Sequence, residues 1–214
     1  MITILVFTSC IDDSSTSHTT TKTEINQEEI TDELISSYIN EAISQENIIN
    51  KTKPVSSEYN FNFNNLEGQS IKLNVKNDHY NFKNIKQPIV MVAFLSTWCP
   101  PCRGQIPHLS NLQKNFKNDL FILSVLIHDD IKEKELKKFL IAEKARFYLS
   151  NNQVENLKFS HMIAPKLRLK NNFTLPLMLI FYKGKYFTHY EGRMPEEMIE
   201  SDLEQLLKKY KGQK

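Results

Sequence analysis

Residues 89–107 read Ile89-Val-Met-Val-Ala-Phe-Leu-Ser-Thr-Trp-Cys99-Pro-Pro-Cys102-Arg-Gly-Gln-Ile-Pro107, and the fold turns on how this stretch divides. Ile89 to Leu95 is an unbroken apolar run of strand length, the pattern of a central strand covered on both faces. From Gln105 to Phe116, Ile106, Leu109, Leu112 and Phe116 recur at three- and four-residue intervals, which predicts a helix. Leu120 to Ile127 is a second apolar strand. Strand, helix and strand form a βαβ unit with a right-handed crossover. Two cysteines stand where the first strand turns into the helix.

That placement carries chemistry. At a helix N-terminus the unpaired amides and the macrodipole favour negative charge, so the thiolate of Cys99 is stabilised relative to a free thiol, whose pKa is about 8.5. Cys102 follows one turn later, within reach to resolve a mixed disulfide on Cys99. Pro100 and Pro101 suit the first helical turn, because their φ is fixed at roughly −65° and the missing N–H groups have no partner there in any case. Other uses of the pair fit less well. A zinc site needs two further ligands, yet the third cysteine is distant Cys10 and the histidines are scattered singly. A c-type haem attachment needs His after the second cysteine, where Arg103 stands. A purely structural disulfide across so small a loop gains little chain entropy. Redox exchange is the expected function.

Outward from this unit, Lys132 to Lys144 reads as a helix, Arg146 to Leu149 as a short strand and Val154 to Leu169 as at least partly helical. Leu175-Pro176 opens an apolar strand to Phe181, and Lys183-Gly184-Lys185 turns it into Tyr186–Tyr190 as a hairpin. Pro195 to Tyr210 is a closing amphipathic helix. On the N-terminal side Tyr59, Phe61 and Phe63 alternate with Asn, a turn falls at Glu67-Gly68-Gln69, and Ile71, Leu73 and Val75 alternate again, another hairpin. His108 is expected on a helix surface, and His128-Asp129-Asp130 as a cap for the helix that follows.

The first 53 residues differ in character. Glu24 to Asn50 carries Ile30, Leu34, Ile35, Tyr38, Ile39, Ala42 and Ile43 as one helical stripe, so residues 24–53 are expected to be an amphipathic helix and linker. Residues 11–23 are Ser/Thr-rich and polar, the composition of a disordered linker. Ile2 to Phe7 is apolar and ends at Thr8-Ser9 before Cys10, which resembles the end of a lipoprotein signal peptide, with Phe7 where Leu is usual. No Lys or Arg precedes Lys22, so residues 1–9 are expected to be a truncated signal peptide and Cys10 the lipidated residue. A buried first strand with Cys10 as a core thiol is the plainer alternative, disfavoured by the polar stretch behind it. Lipidation would also dispose of the unpaired thiol.

Composition sets the outer bounds. The 214 residues are 40% apolar and 24% charged with a net charge of +2, which describes a globular domain with accessory chain. No basic stripe and no phosphate-cradling glycine motif is present, so neither nucleic acid nor nucleotide is an expected partner.

The Phe94-to-Pro107 stretch, Leu175-Pro176, and the hairpin at Tyr59-Asn-Phe61 and Leu66-Glu-Gly68 together resemble the thioredoxin superfamily, within it the membrane-anchored TlpA/ResA/CcmG-like oxidoreductases of bacteria. The resemblance spans about Tyr59 to Tyr210. It implies an α/β thioredoxin fold, a central mixed sheet flanked by helices with an N-terminal β-hairpin extension, over residues 54–214. It implies that Cys99 and Cys102 are the catalytic pair, that Pro176 is a cis-proline facing their disulfide, and that Trp98, Pro100, Pro101 and Leu175 face substrate. It further implies a lipid-anchored protein of the bacterial periplasm, with no cofactor and no resident metal. Its expected partners are client proteins, apocytochrome c among the candidates, met through mixed disulfides, and a membrane thiol that donates electrons. Two departures stand out: Ala93 occupies the position of the buried acid of cytoplasmic thioredoxins, and Gln105 that of the Glu in ResA-like proteins. Two other readings remain open at this point. One is a copper chaperone using the same thiols, with His161 and Met162 as conceivable further ligands; the other is a scaffold domain without redox activity.

Overall fold

A computed structural model of the chain describes residues 58–170 and 172–211. The expected signal peptide, the lipid site at Cys10, the linker and the 24–53 helix lie outside the described residues. Twelve elements run β1 (Glu58–Asn64), β2 (Ser70–Lys76), β3 (His79–Phe82), β4 (Ile89–Leu95), α1 (Pro100–Asn115), β5 (Leu120–Leu126), α2 (Glu133–Ala142), β6 (Tyr148–Ser150), α3 (Gln153–Lys166), β7 (Leu177–Tyr182), β8 (Lys185–Glu191) and α4 (Glu196–Lys211). The eight strands make one sheet in the order β1-β2-β3-β8-β7-β4-β5-β6. β4, β5 and β6 are parallel, and every other pairing is antiparallel, so the sheet is mixed as expected.

The period-2 geometry of a strand explains why β4 is apolar throughout. Ile89, Met91, Ala93 and Leu95 face a core closed by Ile106, Leu109 and Leu112 of α1, Leu136 of α2 and Ile199, Leu203 and Leu206 of α4. Val90, Val92 and Phe94 face the opposite core, closed by Phe159 and Ile163 of α3 together with Phe61, Phe63, Leu73 and Tyr80 of β1–β3. Among the described residues no helix is long and apolar enough to cross a membrane.

The sequence reading needs two corrections here. The N-terminal hairpin is a three-strand meander, because the short β3 continues it and joins β8 at His79–Lys185. The active-site helix itself starts at Pro100, with the two prolines in its first positions as expected. The strand expected at Arg146–Leu149 is Tyr148–Ser150, where pairing with Leu123–Val125 is available.

Candidate active site

The end of β4 delivers the chain into the site. Cys99 is the N-cap of α1, in extended conformation at φ −86° and ψ 108°, and its Sγ accepts from the Cys102 amide at 3.3 Å. A sulfur is thus seated where a helix start offers unpaired N–H groups. Cys99 N donates to Ser96 O at 3.2 Å and Arg103 N to Cys99 O at 3.1 Å, which fixes the backbone on both sides of that sulfur. Pro100 and Pro101 follow, both exposed. Cys99 and Cys102 form a disulfide with Cα atoms 5.2 Å apart. Cys99 keeps 5% exposure and Cys102 none, so an incoming nucleophile meets Cys99 first.

Opposite the disulfide, the Leu175-Pro176 peptide is cis, and the Leu175 carbonyl oxygen lies 3.9 Å from Cys99 Sγ. Leu175 is half-buried and Pro176 buried at the start of β7, next to β4 in the sheet. Trp98 stands 63% exposed on the other side, with its indole N–H donating to His128 O at 2.8 Å. The seven positions 98 to 102, 175 and 176, far apart in sequence, therefore share one end of the sheet.

The loop after β5 does something the sequence did not disclose. Asp129 was expected with its neighbours to cap α2, but the N-cap there is Lys132, without a side-chain cap hydrogen bond. Instead Asp129 turns back, 93% buried, and accepts from Thr97 N, from Thr97 Oγ1 at 3.1 Å and from Ile131 N at 3.2 Å. Ser96 Oγ donates to Ile127 O in the same seam. His128, at φ +52°, presents the carbonyl that holds Trp98. The loop 127–131 is thus a clamp on residues 96–98, the chain that carries Cys99. An apolar strand followed by His-Asp-Asp was the available signal; its partner, Thr97, lies 32 residues away in sequence.

The two departures from the family pattern are both in the interior. Ala93 is fully buried at the middle of β4, opposite Met178. Gln105 is fully buried, its Oε1 accepting from Met194 N at 2.9 Å, while its Nε2 has no hydrogen-bond partner among the described residues. A neutral amide thus stands near the buried sulfur where a proton-exchanging acid would otherwise be.

Arg103 and His108 point away from the disulfide and tie α1 to its neighbours. Arg103 holds Glu143 through Nε at 2.8 Å and Nη2 at 2.7 Å, its guanidinium 5.8 Å above the Phe139 ring. His108 is half-buried rather than a free surface group, and its Nδ1 lies 3.1 Å from Glu196 of α4, which Asn111 Nδ2 also reaches at 3.0 Å. His161 and Met162 do not converge on the cysteines: His161 is exposed, and Met162 packs on the core across the sheet from the one containing Cys99 and Cys102. Among the described residues no group of three His, Cys, Asp or Glu side chains is placed to hold a metal ion.

Known proteins resemble this chain in sequence and in fold. The sequence profile of the AhpC/TSA family matches residues 58–185. The thiol-disulfide oxidoreductase ResA of Bacillus cereus is 24% identical over 147 residues, covering 69% of this chain and 75% of that protein. Thioredoxin 2 of Plasmodium berghei is 31% identical over 86 residues, an alignment that takes in 40% of this chain and 54% of that one. A thiol:disulfide interchange protein of the thioredoxin family from Chlorobium tepidum superposes with a TM-score of 0.53 at 14% identity, over 72% of this chain and 97% of its own. A thiol:disulfide interchange protein from Bacteroides sp. gives 0.51 at 20% identity, over 70% and 89%. At such identities the two structures speak to the fold, and the fold they share with this chain is that of thioredoxin.

Proposed function

The chain belongs to the AhpC/TSA family and is a thioredoxin-fold thiol:disulfide oxidoreductase, and on that premise we propose that Cys99 and Cys102 are its redox pair, acting outside the cytoplasm on disulfides of envelope or secreted proteins. In the reduced protein the Cys99 thiolate attacks one sulfur of a client disulfide. The client S–S bond breaks, a mixed disulfide forms, and the departing client thiolate takes up a proton. Cys102, losing its proton, then attacks Cys99 Sγ and expels the second client thiol, leaving the intramolecular disulfide present in the structure. Two electrons and two protons pass to the client. A membrane thiol donor returns the pair to the dithiol by the same exchange run in the opposite sense. Apocytochrome c fits the client class, since its haem-attachment cysteines must be reduced.

One observation supports this reading above the rest: Cys99 caps a helix and is open to attack, with Cys102 sealed behind it and the Leu175 carbonyl facing it from the cis-Pro loop. Trp98, Pro100, Pro101, Leu175 and Pro176 form the surface a client backbone meets. The rest of the proposal concerns residues ahead of the described ones: a signal peptide over 1–9, lipid on Cys10, a linker to residue 23, a helix and linker over 24–53, and the redox domain from 54 onward, tethered in the bacterial periplasm. Cys102→Ser provides the test. With its resolving sulfur gone, the variant should accumulate mixed disulfides through Cys99 that dithiothreitol releases, and mass spectrometry of the released proteins names the clients. A trap that stays empty in cells, while the purified variant retains a reactive Cys99 thiol, defeats the reading.

A further inference from the structure

Between β8 and α4, residues 192–194 are pinned to both halves of the redox site. Gly192, at φ +78°, donates its N–H to Pro176 O at 2.8 Å, and Met194 donates to Gln105 Oε1 at 2.9 Å. One anchor is the cis-proline that faces the disulfide, and the other is a residue of α1 one turn beyond Cys102. Arg193 stands between the two anchors. Its side chain is exposed and its guanidinium lies flat against the active-site helix: a Cβ on Gly104 would sit 3.3 Å from Cζ, Nε and Nη1. Glycine is a poor residue for a helix, and a Cβ at this place in the second turn of α1 would press the guanidinium outward by a few tenths of an ångström.

The charge of Arg193 is also uncommitted. Arg103, its neighbour on α1, is neutralised by Glu143, whereas no carboxylate pairs with Arg193 among the described residues. The first turn of α1 contains no acid, and the macrodipole adds positive potential at the same end. We propose that Arg193 is a specificity-determining residue for the oxidoreductase, receiving an acidic side chain that flanks the cysteine of a client disulfide. This inference rests on the redox reading of Cys99 and Cys102. A guanidinium held against a rigid helix has lost much of its freedom before binding, and its planar fork pairs a carboxylate through two N–H groups. At the rim of a solvated site such a pair governs encounter and partner choice more than total affinity.

Two synthetic peptides with one intramolecular disulfide each, identical except for Asp or Asn beside the cysteines, serve as substrates for the reduced full-length protein. The wild type should reduce the Asp peptide with a kcat/KM about fivefold above the Asn peptide at low ionic strength, and the advantage should fade in high salt. Arg193→Gln should bring that ratio to about one, Arg193→Glu should invert it, and Gly104→Ala, which displaces the guanidinium, should reduce it while leaving the charge in place. A wild-type ratio near one, or a ratio that Arg193→Gln leaves unchanged, overturns the role of Arg193 while the redox reading stands. Failure of the wild type to reduce either peptide overturns the redox reading, and this inference with it.

Discussion

Asp129 shows how much of this site is held by side chains that never meet a client. Its carboxylate takes three hydrogen bonds, two of them from Thr97, and it is all but buried. Replacing it with Ala leaves the Thr97 and Ile131 amides without their acceptor, and an unsatisfied buried donor costs about 1–3 kcal/mol. For a domain of this size that is a fall in melting temperature of roughly 2–12 °C. Because Thr97 leads directly to Cys99, Asp129→Ala should also lower kcat/KM for disulfide reduction, with Asp129→Asn restoring part of both losses since an amide oxygen can still accept. Thermal melts and steady-state assays on the pair decide the matter; a melting point within a degree of wild type for the alanine variant would show that the clamp is dispensable. The cysteine pair was legible in the sequence because its spacing at a strand-to-helix turn gives it away, whereas Trp98 and Pro176 were placed beside it by the family resemblance alone. Asp129 was not legible, because its role is set by two strand ends brought together, a fact of tertiary structure. Its place after an apolar strand made a helix cap the natural expectation.

At the scale of elements the strands and helices were largely visible, and the misses have physical causes. β4, β5 and β7 announce themselves by unbroken apolar runs, and α4 by its stripe. β3 is four residues long, too short for alternation to register, and is identified by its partners: β2 along its length, and β8 where the Lys183-Gly184 turn brings it alongside. Both turn residues have positive φ, +46° and +76°, and a Cβ on Gly184 would come within 2.9 Å of the Tyr80 carbonyl oxygen, so position 184 requires glycine. Docking of β3 buries Tyr80 against Phe181, ring centroids 4.5 Å apart, and burial pushes the Tyr80 phenol up to about 12, with the charges of Asp78 and Tyr186 acting in the same direction. In the unfolded chain the phenol ionises near 10. Between those two values the folded state retains a proton the unfolded state has lost, so stability contributed by Tyr80 is complete below pH 10 and disappears as pH rises to about 12. Tyr190, half-buried and donating to Asp202 at 2.6 Å, is displaced in the same direction. Urea unfolding of Tyr80→Phe from pH 9 to 11.5 should therefore show a shallower decline in stability than wild type, though not a flat one. Parallel declines in the two proteins would count against the burial account.

At the scale of the whole described domain, the two outermost strands of the sheet are tied to each other at one end. β1 and β6 are the outermost strands in the order, yet Asn151 N donates to Asn64 O at 3.0 Å, Asn152 Nδ2 to Asn62 O at 3.2 Å, and Asn62 N to Glu155 Oε2 at 3.1 Å. The Tyr148 hydroxyl lies 2.8 Å from Phe63 O. The meander thus curls over one face until the end of its outer strand meets the opposite edge, and the backbone of Asn62, Phe63 and Asn64 finds partners there within the protein. Phe159 of α3 fills the space enclosed by this curl, fully buried, edge-on to Phe61 and Phe63 at 5.2 and 5.5 Å and stacked on Phe94 of the central strand at 5.7 Å. It is therefore one contact that fastens the accessory strands to the β4 strand that delivers Cys99, beside the packing of Tyr80 and Phe82 on Phe181 of β7. The sequence showed an alternating hairpin and a partly helical Val154–Leu169 but not that Phe159 packs between them and β4, since nothing local fixes which side of a sheet a meander covers. Phe159→Ala should cost about 3–5 kcal/mol. The location of the loss is the sharper prediction. Amide exchange should accelerate far more in Phe61, Phe63, Leu73 and Val75 than in Met91, Val92 and Leu123, because the central parallel pair keeps its other core of α1 and α4 intact. Disulfide reduction at a temperature where the variant is folded should then persist, as Cys99 is positioned by that second core. If exchange rises evenly across both groups of strands, the meander and the redox core unfold as one unit, and the fastening assigned to Phe159 belongs to the sheet as a whole.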